Sequence, residues 1–187
     1  MAKSSSKGVS NRYVALLRGV NVGGKNKLPM KSLAQIFVDA GCANVRTYIQ
    51  SGNVVFDAPA AVAKKAPKAV TTEISRQFGF NAPVVMRSAA EWQQTIAANP
   101  FAGRKVEPTS LHVVFLADCP SISRVAQLDR QRSPGDEFEV VGGAIYMCLS
   151  NGAAGTKLTN AYFDRVLETI STGRNWRSVM AIAAMLE

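Results

Sequence analysis

Two short β-prone runs, residues 45–49 and 53–57, are separated only by Gln50-Ser51-Gly52, so the chain must reverse there as a tight hairpin. Residues 13–18 form an apolar run that reads as a strand. Residues 30–40 place Leu33, Ile36, Phe37 and Ala40 on one helical face, with Pro29 in the first turn and Gly41 as the stop. After the hairpin, residues 67–78 put Val70, Ile74 and Phe78 inward up to Gly79, with residues 60–66 as a loop or an extra turn, and residues 83–87 read as a fourth strand. The order is β-α-β-β-α-β, the ferredoxin-like pattern.

The second half follows the same plan. Ser88-Ala89-Ala90-Glu91 is a capping box, so a linking helix runs to residue 98 until Asn99-Pro100 breaks it. Residues 111–117 read as an apolar strand, 121–130 as a helix, and 137–141 with 144–149 as a hairpin across Gly142-Gly143. Residues 159–170 read as a helix with Tyr162, Phe163, Val166, Leu167 and Ile170 inward, residues 174–176 as a short extended or turn-like piece, and 178–186 as a terminal helix. The expected fold class is α+β: two ferredoxin-like (βαββαβ-type) subdomains, the second with a reduced or missing last strand. The expected organisation is a disordered tail over 1–11, an N-terminal subdomain with its linking helix over 12–98, and a C-terminal subdomain over 99–187. Halves of this size bury only marginal cores alone, so they are expected to pack together.

Charge is unevenly spread. Residues 1–110 hold 15 Lys or Arg against 5 Asp or Glu, whereas residues 111–187 hold 7 against 8. Seven basic residues and no acidic one precede Asp39. Such asymmetry points to an anionic partner for the N-terminal half, or simply to solubility. Cys42, Cys119 and Cys148 are scattered and match neither a disulfide framework nor metal-ligand spacing; with His112 as the one histidine, no metal and no cofactor are expected. No apolar run approaches a membrane span and the polar N-terminus is no secretory signal, so no membrane partner is expected.

Between the first strand and the first helix lies Arg18-Gly19-Val20-Asn21-Val22-Gly23-Gly24-Lys25-Asn26-Lys27. Glycines allow successive N–H groups to face one point and lysine adds charge, so Arg18, Asn21, Gly23, Gly24, Lys25, Asn26 and Lys27 form a candidate anion cradle. Gly19-x4-Gly24-Lys25 matches most of a nucleotide-binding P-loop, but Asn26 stands where a Ser or Thr must hold magnesium, and the helix starts too late for its dipole to face the same phosphate. A second loop over 151–160 also places glycines before a lysine. With the first and third strands of a half expected as parallel neighbours, loops after them should leave the same sheet edge, and Lys157, Asn160, Arg174 and Trp176 become a possible second wall. In Arg174-Asn175-Trp176-Arg177 two arginines flank an aromatic, which suits stacking on a base or simply a buried Trp176 anchoring the last helix. An RNA-recognition sheet would need an aromatic-rich third strand; residues 53–57 hold only Phe56. His112 has no nucleophile or carboxylate placed for a triad.

With these segments in view, the chain resembles a bacterial family known as domain of unknown function 1697. The resemblance rests on residues 13–30 and 45–56, on Asn99-Pro100-Phe101, on Lys157-Leu158-Thr159-Asn160 and on Arg174-Asn175-Trp176. It implies a cytoplasmic bacterial protein of two ferredoxin-like α+β subdomains and transfers no activity. Gly155-Thr156-Lys157 departs from the Gly-Arg-Ser-Lys type expected there, and no proline precedes the loop, which weakens an anion site at 151–160. The leading expectation is binding of an anionic ligand, nucleic acid or a phosphorylated small molecule, through residues 18–27. An enzyme acting on a phosphorylated or acyl substrate, and an interaction module with no small ligand, are the alternatives.

Overall fold

The computed structural model describes residues 10–187. Of the tail expected over 1–11, residues 1–9 lie outside the described residues, while Ser10 and Asn11 belong to the first strand. The chain divides into two compact units, up to Ala89 and from Ala90 onward.

The first unit runs β1 (Ser10–Leu17), α1 (Met30–Asp39), β2 (Ala43–Tyr48), β3 (Asn53–Pro59), α2 (Ala60–Phe78) and β4 (Val84–Ser88). Its sheet has the order β2-β3-β1-β4 with every neighbouring pair antiparallel. The expectation that the first and third strands are parallel is therefore corrected. The crossover through α1 makes β2 run with β1, and the hairpin then reverses β3, so Leu16 pairs with Asn53 at one end and Ser10 with Pro59 at the other.

Helix α2 begins at Ala60 rather than at residue 67, so Pro67 sits inside it. An interior proline removes one helical hydrogen bond. The helix continues because Ala63 and Ala66 lie on the same buried face as Val70 and Ile74. With α1 it covers Ala15, Leu17, Val54, Phe56 and Ala58 of the sheet, and Phe37 packs 5.1 Å from Phe56. The alternate residues Val14, Leu16 and Val55 are also buried, which is why β1 and β3 read as unbroken apolar runs. In edge strand β2 a register shift between Ala43 and Arg46 leaves Asn44 at φ 51°, donating to Asp57 Oδ2 at 2.7 Å. Arg12 donates to the other carboxylate oxygen at 2.9 Å, and these bonds hold Asp57 below the usual carboxylate range despite its desolvation.

The second unit runs α3 (Ala89–Ala97), β5 (Leu111–Leu116), α4 (Ile122–Val125), β6 (Glu137–Val141), β7 (Ala144–Cys148), α5 (Gly152–Gly155), α6 (Asn160–Leu167), β8 (Ser171–Asn175) and α7 (Trp176–Ala184), with a 3-10 turn at Pro108–Ser110. Its antiparallel sheet has the order β6-β7-β5-β8. The last strand is neither missing nor reduced: β8 matches β4 at 5 residues and pairs with β5 from Leu116–Ser171 to His112–Asn175. Helix α6 ends early because Glu168 turns left-handed at φ 54°, which frees residues 171–175 to extend and leaves Ile170 exposed.

One face of this sheet meets α6 through Val114, Ile145, Phe163 and Leu167. On the other, α3 stacks Trp92 on Phe115 at 4.8 Å. The Trp92 indole N–H donates to Val179 O of α7 at 3.2 Å, and the Tyr146 hydroxyl donates to Thr95 O at 2.7 Å. These contacts place the linking helix in the second unit. Trp92 is fully buried. Trp92→Ala is expected to cost about 3–5 kcal/mol, read as a lower midpoint in urea unfolding with an unchanged slope. A loss below about 1 kcal/mol would mean that α3 is not part of this core.

Candidate functional site

Residues 18–29 connect β1 to α1, and their conformation follows from two apolar pegs. Val20 and Leu28 are buried in the first unit's core, while residues 22–27 between them are exposed. Lys25 N donates to Val22 O at 3.1 Å across Gly23 and Gly24, whose φ values of 58° and 75° are those of a primed hairpin turn. Asn21 N then donates to Asn26 O at 3.1 Å, so the loop is a miniature hairpin.

The two asparagines hold it. Asn21 and Asn26 both adopt left-handed backbone, at φ 54° and 50°, which asparagine tolerates better than most residues. The Asn21 side chain donates to Leu28 O at 2.9 Å and to Gln50 O at 2.8 Å, and its oxygen accepts from Leu28 N at 2.8 Å. Asn26 Nδ2 donates to Gly19 O at 2.9 Å. The backbone N–H groups of Asn21, Lys25 and Leu28 and the amide donors of both asparagine side chains are therefore committed within the fold, which makes the loop a rigid platform. The side chains of Lys25 and Lys27 have no hydrogen-bond or ion-pair partner among the described residues.

The bond from Asn21 to Gln50 ties the loop to the β2–β3 turn. Gly52 closes the joint: Leu17 N donates to Gly52 O at 2.8 Å, and a Cβ on Gly52 would lie 2.6 Å from Val20 Cγ2 and 2.7 Å from Leu17 Cβ. Buried Asn53 caps the turn, its amide donating to Tyr48 O at 3.0 Å and Ser51 Oγ at 2.9 Å. Tyr48, Ile49 and Gln50 thus belong to the candidate site, a connection that turn chemistry alone did not reveal. Burial of Val14, Leu16 and Val55 leaves no open β1–β3 surface for base stacking of the RNA-recognition type.

The second loop is built around an internal anion. Asp136, buried, accepts from Ser133 Oγ at 2.7 Å, from Asn151 N at 3.1 Å and from Asn151 Nδ2 at 3.2 Å. Ser133 Oγ in turn accepts from Lys157 N at 3.1 Å. Burial pushes the Asp136 carboxyl up, but the bonds from Ser133, Asn151 and Thr156 outweigh it and hold the carboxyl below its usual range. The donors that would greet a ligand carboxylate or phosphate already serve this one.

The residues expected as a second wall do not form a single surface. Exposed Lys157 follows α5, and Thr159 caps α6, its Oγ1 accepting from Tyr162 N at 3.2 Å. Asn160 Oδ1 lies against Gly173, on the α6 face of β8. The opposite face carries Arg174, which is 8% exposed and donates to Thr172 Oγ1 at 2.8 Å and Gly173 O at 2.7 Å; burial pulls its guanidinium down to about 10. Trp176 is the first residue of α7, capped by the Asn175 side chain accepting from Ser178 N at 2.8 Å. Because β8 is antiparallel to β5, and β7 likewise, the loop after β7 leaves the sheet beside Ser110, at the start of β5 and opposite the loop after β5.

Two clefts lie in the second unit, about 400 Å³ beside Arg130, Ser133 and Glu139 and about 590 Å³ beside Glu107, Ser110 and Ser150, and neither has a lining residue from the expected site. Among the described residues no three His, Cys, Asp or Glu gather as metal ligands, and no helix is long and apolar enough to cross a membrane.

Two substitutions test this geometry. Gly52→Ala meets both the left-handed backbone and a steric clash, and is expected to cost about 2–4 kcal/mol. Gly23→Ala, with no atom within 4 Å of its added carbon, should cost about 1–2 kcal/mol from backbone strain alone; equal losses would contradict the packed joint. Asp136→Asn should lose about 1–3 kcal/mol at neutral pH. Because the folded carboxyl is held below its unfolded value, its contribution is present above about pH 4 and is lost as pH falls through the folded value. The stability gap between wild type and variant, from urea titrations, should therefore narrow in acid.

The model of a family described as a protein of unknown function (DUF1697) matches residues 10–146, a span that includes the loop, the β2–β3 hairpin and the first six strands and ends within β7, before the second loop. Among solved structures, the conserved bacterial protein SP0830 from Streptococcus pneumoniae is similar, with a TM-score of 0.73 and 24% identity over 96% of this chain and 100% of that chain. At that identity the likeness speaks for the fold. A comparison with curated proteins gives no match. With well over half its length matched, the chain belongs to the family of proteins of unknown function DUF1697.

Proposed function

We propose that the chain binds a polyanion, a nucleic acid, through the basic loop 18–27 of the first unit. One observation carries this reading: the exposed tip over 22–27 holds Lys25 and Lys27 unpaired among the described residues, on a backbone already fixed by Asn21 and Asn26. A pre-ordered backbone reduces the entropy lost on binding. No acidic residue occurs in the loop or anywhere before Asp39, so its field is not locally cancelled by its own sequence. An open basic tip suits phosphates repeated along a strand, whereas a small phosphorylated ligand calls for enclosure.

Each unit is read as ferredoxin-like, on the strength of its β-α-β-β-α-β connectivity and its antiparallel sheet with the first and third strands central. The cytoplasm is the proposed location, supported by three free cysteines, of which Cys119 is exposed.

The test is anisotropy of a short labelled oligonucleotide with the full chain over a range of salt. Affinity should fall steeply with salt, and Lys25→Ala should weaken binding across sequences and lower the log–log salt slope by about one. Binding insensitive to salt, or unchanged in Lys25→Ala, would sink the reading. A thermal shift with one small phosphate compound that needs Lys25, without oligonucleotide binding, would replace it with a small-ligand site.

A further inference from the structure

The end of the first sheet carries apolar surface beside its lysines. On either side of the Asn21–Gln50 bond, Val22 is 63% exposed and Ile49 is 52% exposed. Ile49 also holds a φ of 46°, in the left-handed region that a β-branched side chain strongly disfavours. Strain of this kind persists where the surrounding structure over-determines it and gathers at functional sites. Next to it, Tyr48 ends edge strand β2, half-buried, opposite Asn53 in the register. Its ring pairs with no other ring, and its hydroxyl has no hydrogen-bond partner among the described residues. The other tyrosines are engaged: Tyr13 stacks on Phe56, Tyr146 donates to Thr95 O, and Tyr162 packs on Phe163. Exposed Arg46 lies two residues before Tyr48, on the same side of the strand.

We infer that the nucleic acid is single-stranded, with phosphates at Lys25 and Lys27 and one base stacked on Tyr48. This rests on the basic-loop reading above and goes beyond it by naming the form of the ligand. A duplex keeps its base faces inside the stack and offers a protein phosphates, sugars and base edges. Its backbone would satisfy the two lysines but would set Val22, Ile49 and the Tyr48 ring against phosphate and water. A single strand presents base faces and sugars between its phosphates, so the same surface meets charge with charge and apolar area with apolar area. Stacking on one aromatic is tolerant of sequence, so little preference among bases is expected.

The experiment compares anisotropy of a labelled single strand and of the duplex of the same sequence with the full chain, in wild type, Tyr48→Ala, Tyr48→Phe and the Lys25→Ala/Lys27→Ala double variant. Melting temperatures confirm that each variant is folded. The single strand should bind about tenfold or more tighter than the duplex. Tyr48→Ala should weaken single-strand binding by about 5- to 150-fold and leave the weak duplex binding unchanged, Tyr48→Phe should restore it, and the lysine variant should weaken both. Equal affinity for the two forms, or a Tyr48→Ala that binds like wild type, would overturn the inference while a loss in the lysine variant kept the basic loop as the contact. No binding of either form, or a lysine variant that binds like wild type, would overturn both.

Discussion

The loop-bearing end of the first unit depends on one side chain, the carboxamide of Asn21. Its oxygen accepts from Leu28 N while its nitrogen donates to Leu28 O and to Gln50 O. The pair of bonds to Leu28 closes the loop upon itself, and the bond to Gln50 joins it to a turn distant in sequence. No aliphatic residue supplies both a donor and an acceptor here, and an aspartate would lose the donor. Once Asn21 is in place, Val20 and Leu28 seat in the core, Gly52 fits against Val20 and Leu17, and residues 22–27 are pushed outward. The two long segments on which the family resemblance rests, 13–30 and 45–56, are thus two sides of one joint.

The two glycine-containing loops share ingredients and differ in electrostatics. The loop at 18–27 encloses no carboxylate and leaves its lysines outside. The loop at 150–158 is organised by Asp136, whose oxygens take Ser133 Oγ and the Asn151 donors. A buried carboxylate with satisfied hydrogen bonds is a fixed internal anion, and the donors around it have no free direction left for another. The excess of basic residues in the first 110 positions therefore coincides with the loop that has no internal counter-charge. In the second unit, acidic Glu137 and Glu139 are matched by Arg104 and Arg130, and Glu168 by Arg124.

What the sequence made legible is what burial imprints as periodicity. Both hairpins and the helices at α1 and α6 were readable, because Leu33, Ile36 and Phe37, or Tyr162, Phe163 and Leu167, recur at helical spacing. Strand β8 was not, because Ser171-Thr172-Gly173-Arg174-Asn175 has no apolar residue; only its backbone pairing with β5 makes it a strand. The early start of α2 was hidden behind Pro67, whose usual place is a first turn. Arg174 reads as a surface contact because arginine is seldom buried, yet it is buried on a sheet face with Nη1 donating to Thr172 Oγ1 and Gly173 O. Asparagine's donors and acceptors do not say in sequence which partner they will find; here the Asn21 carboxamide bonds Leu28 and Gln50, and that of Asn26 bonds Gly19.

On the proposed reading, a loop of this build would meet charge without much direction. Its lysines are flexible point charges on a rigid base, so on that reading they would meet phosphate over a range of orientations. Discrimination between ligands then has to come from groups of fixed shape beside them. At this end of the sheet those groups are on the β2–β3 turn, where Ile49 is held in an unfavourable conformation and Tyr48 lacks a stacking partner among the described residues. The bond from Asn21 to Gln50 sets the distance between the two kinds of surface, so the same carboxamide that closes the fold also fixes how charge and apolar area are presented together.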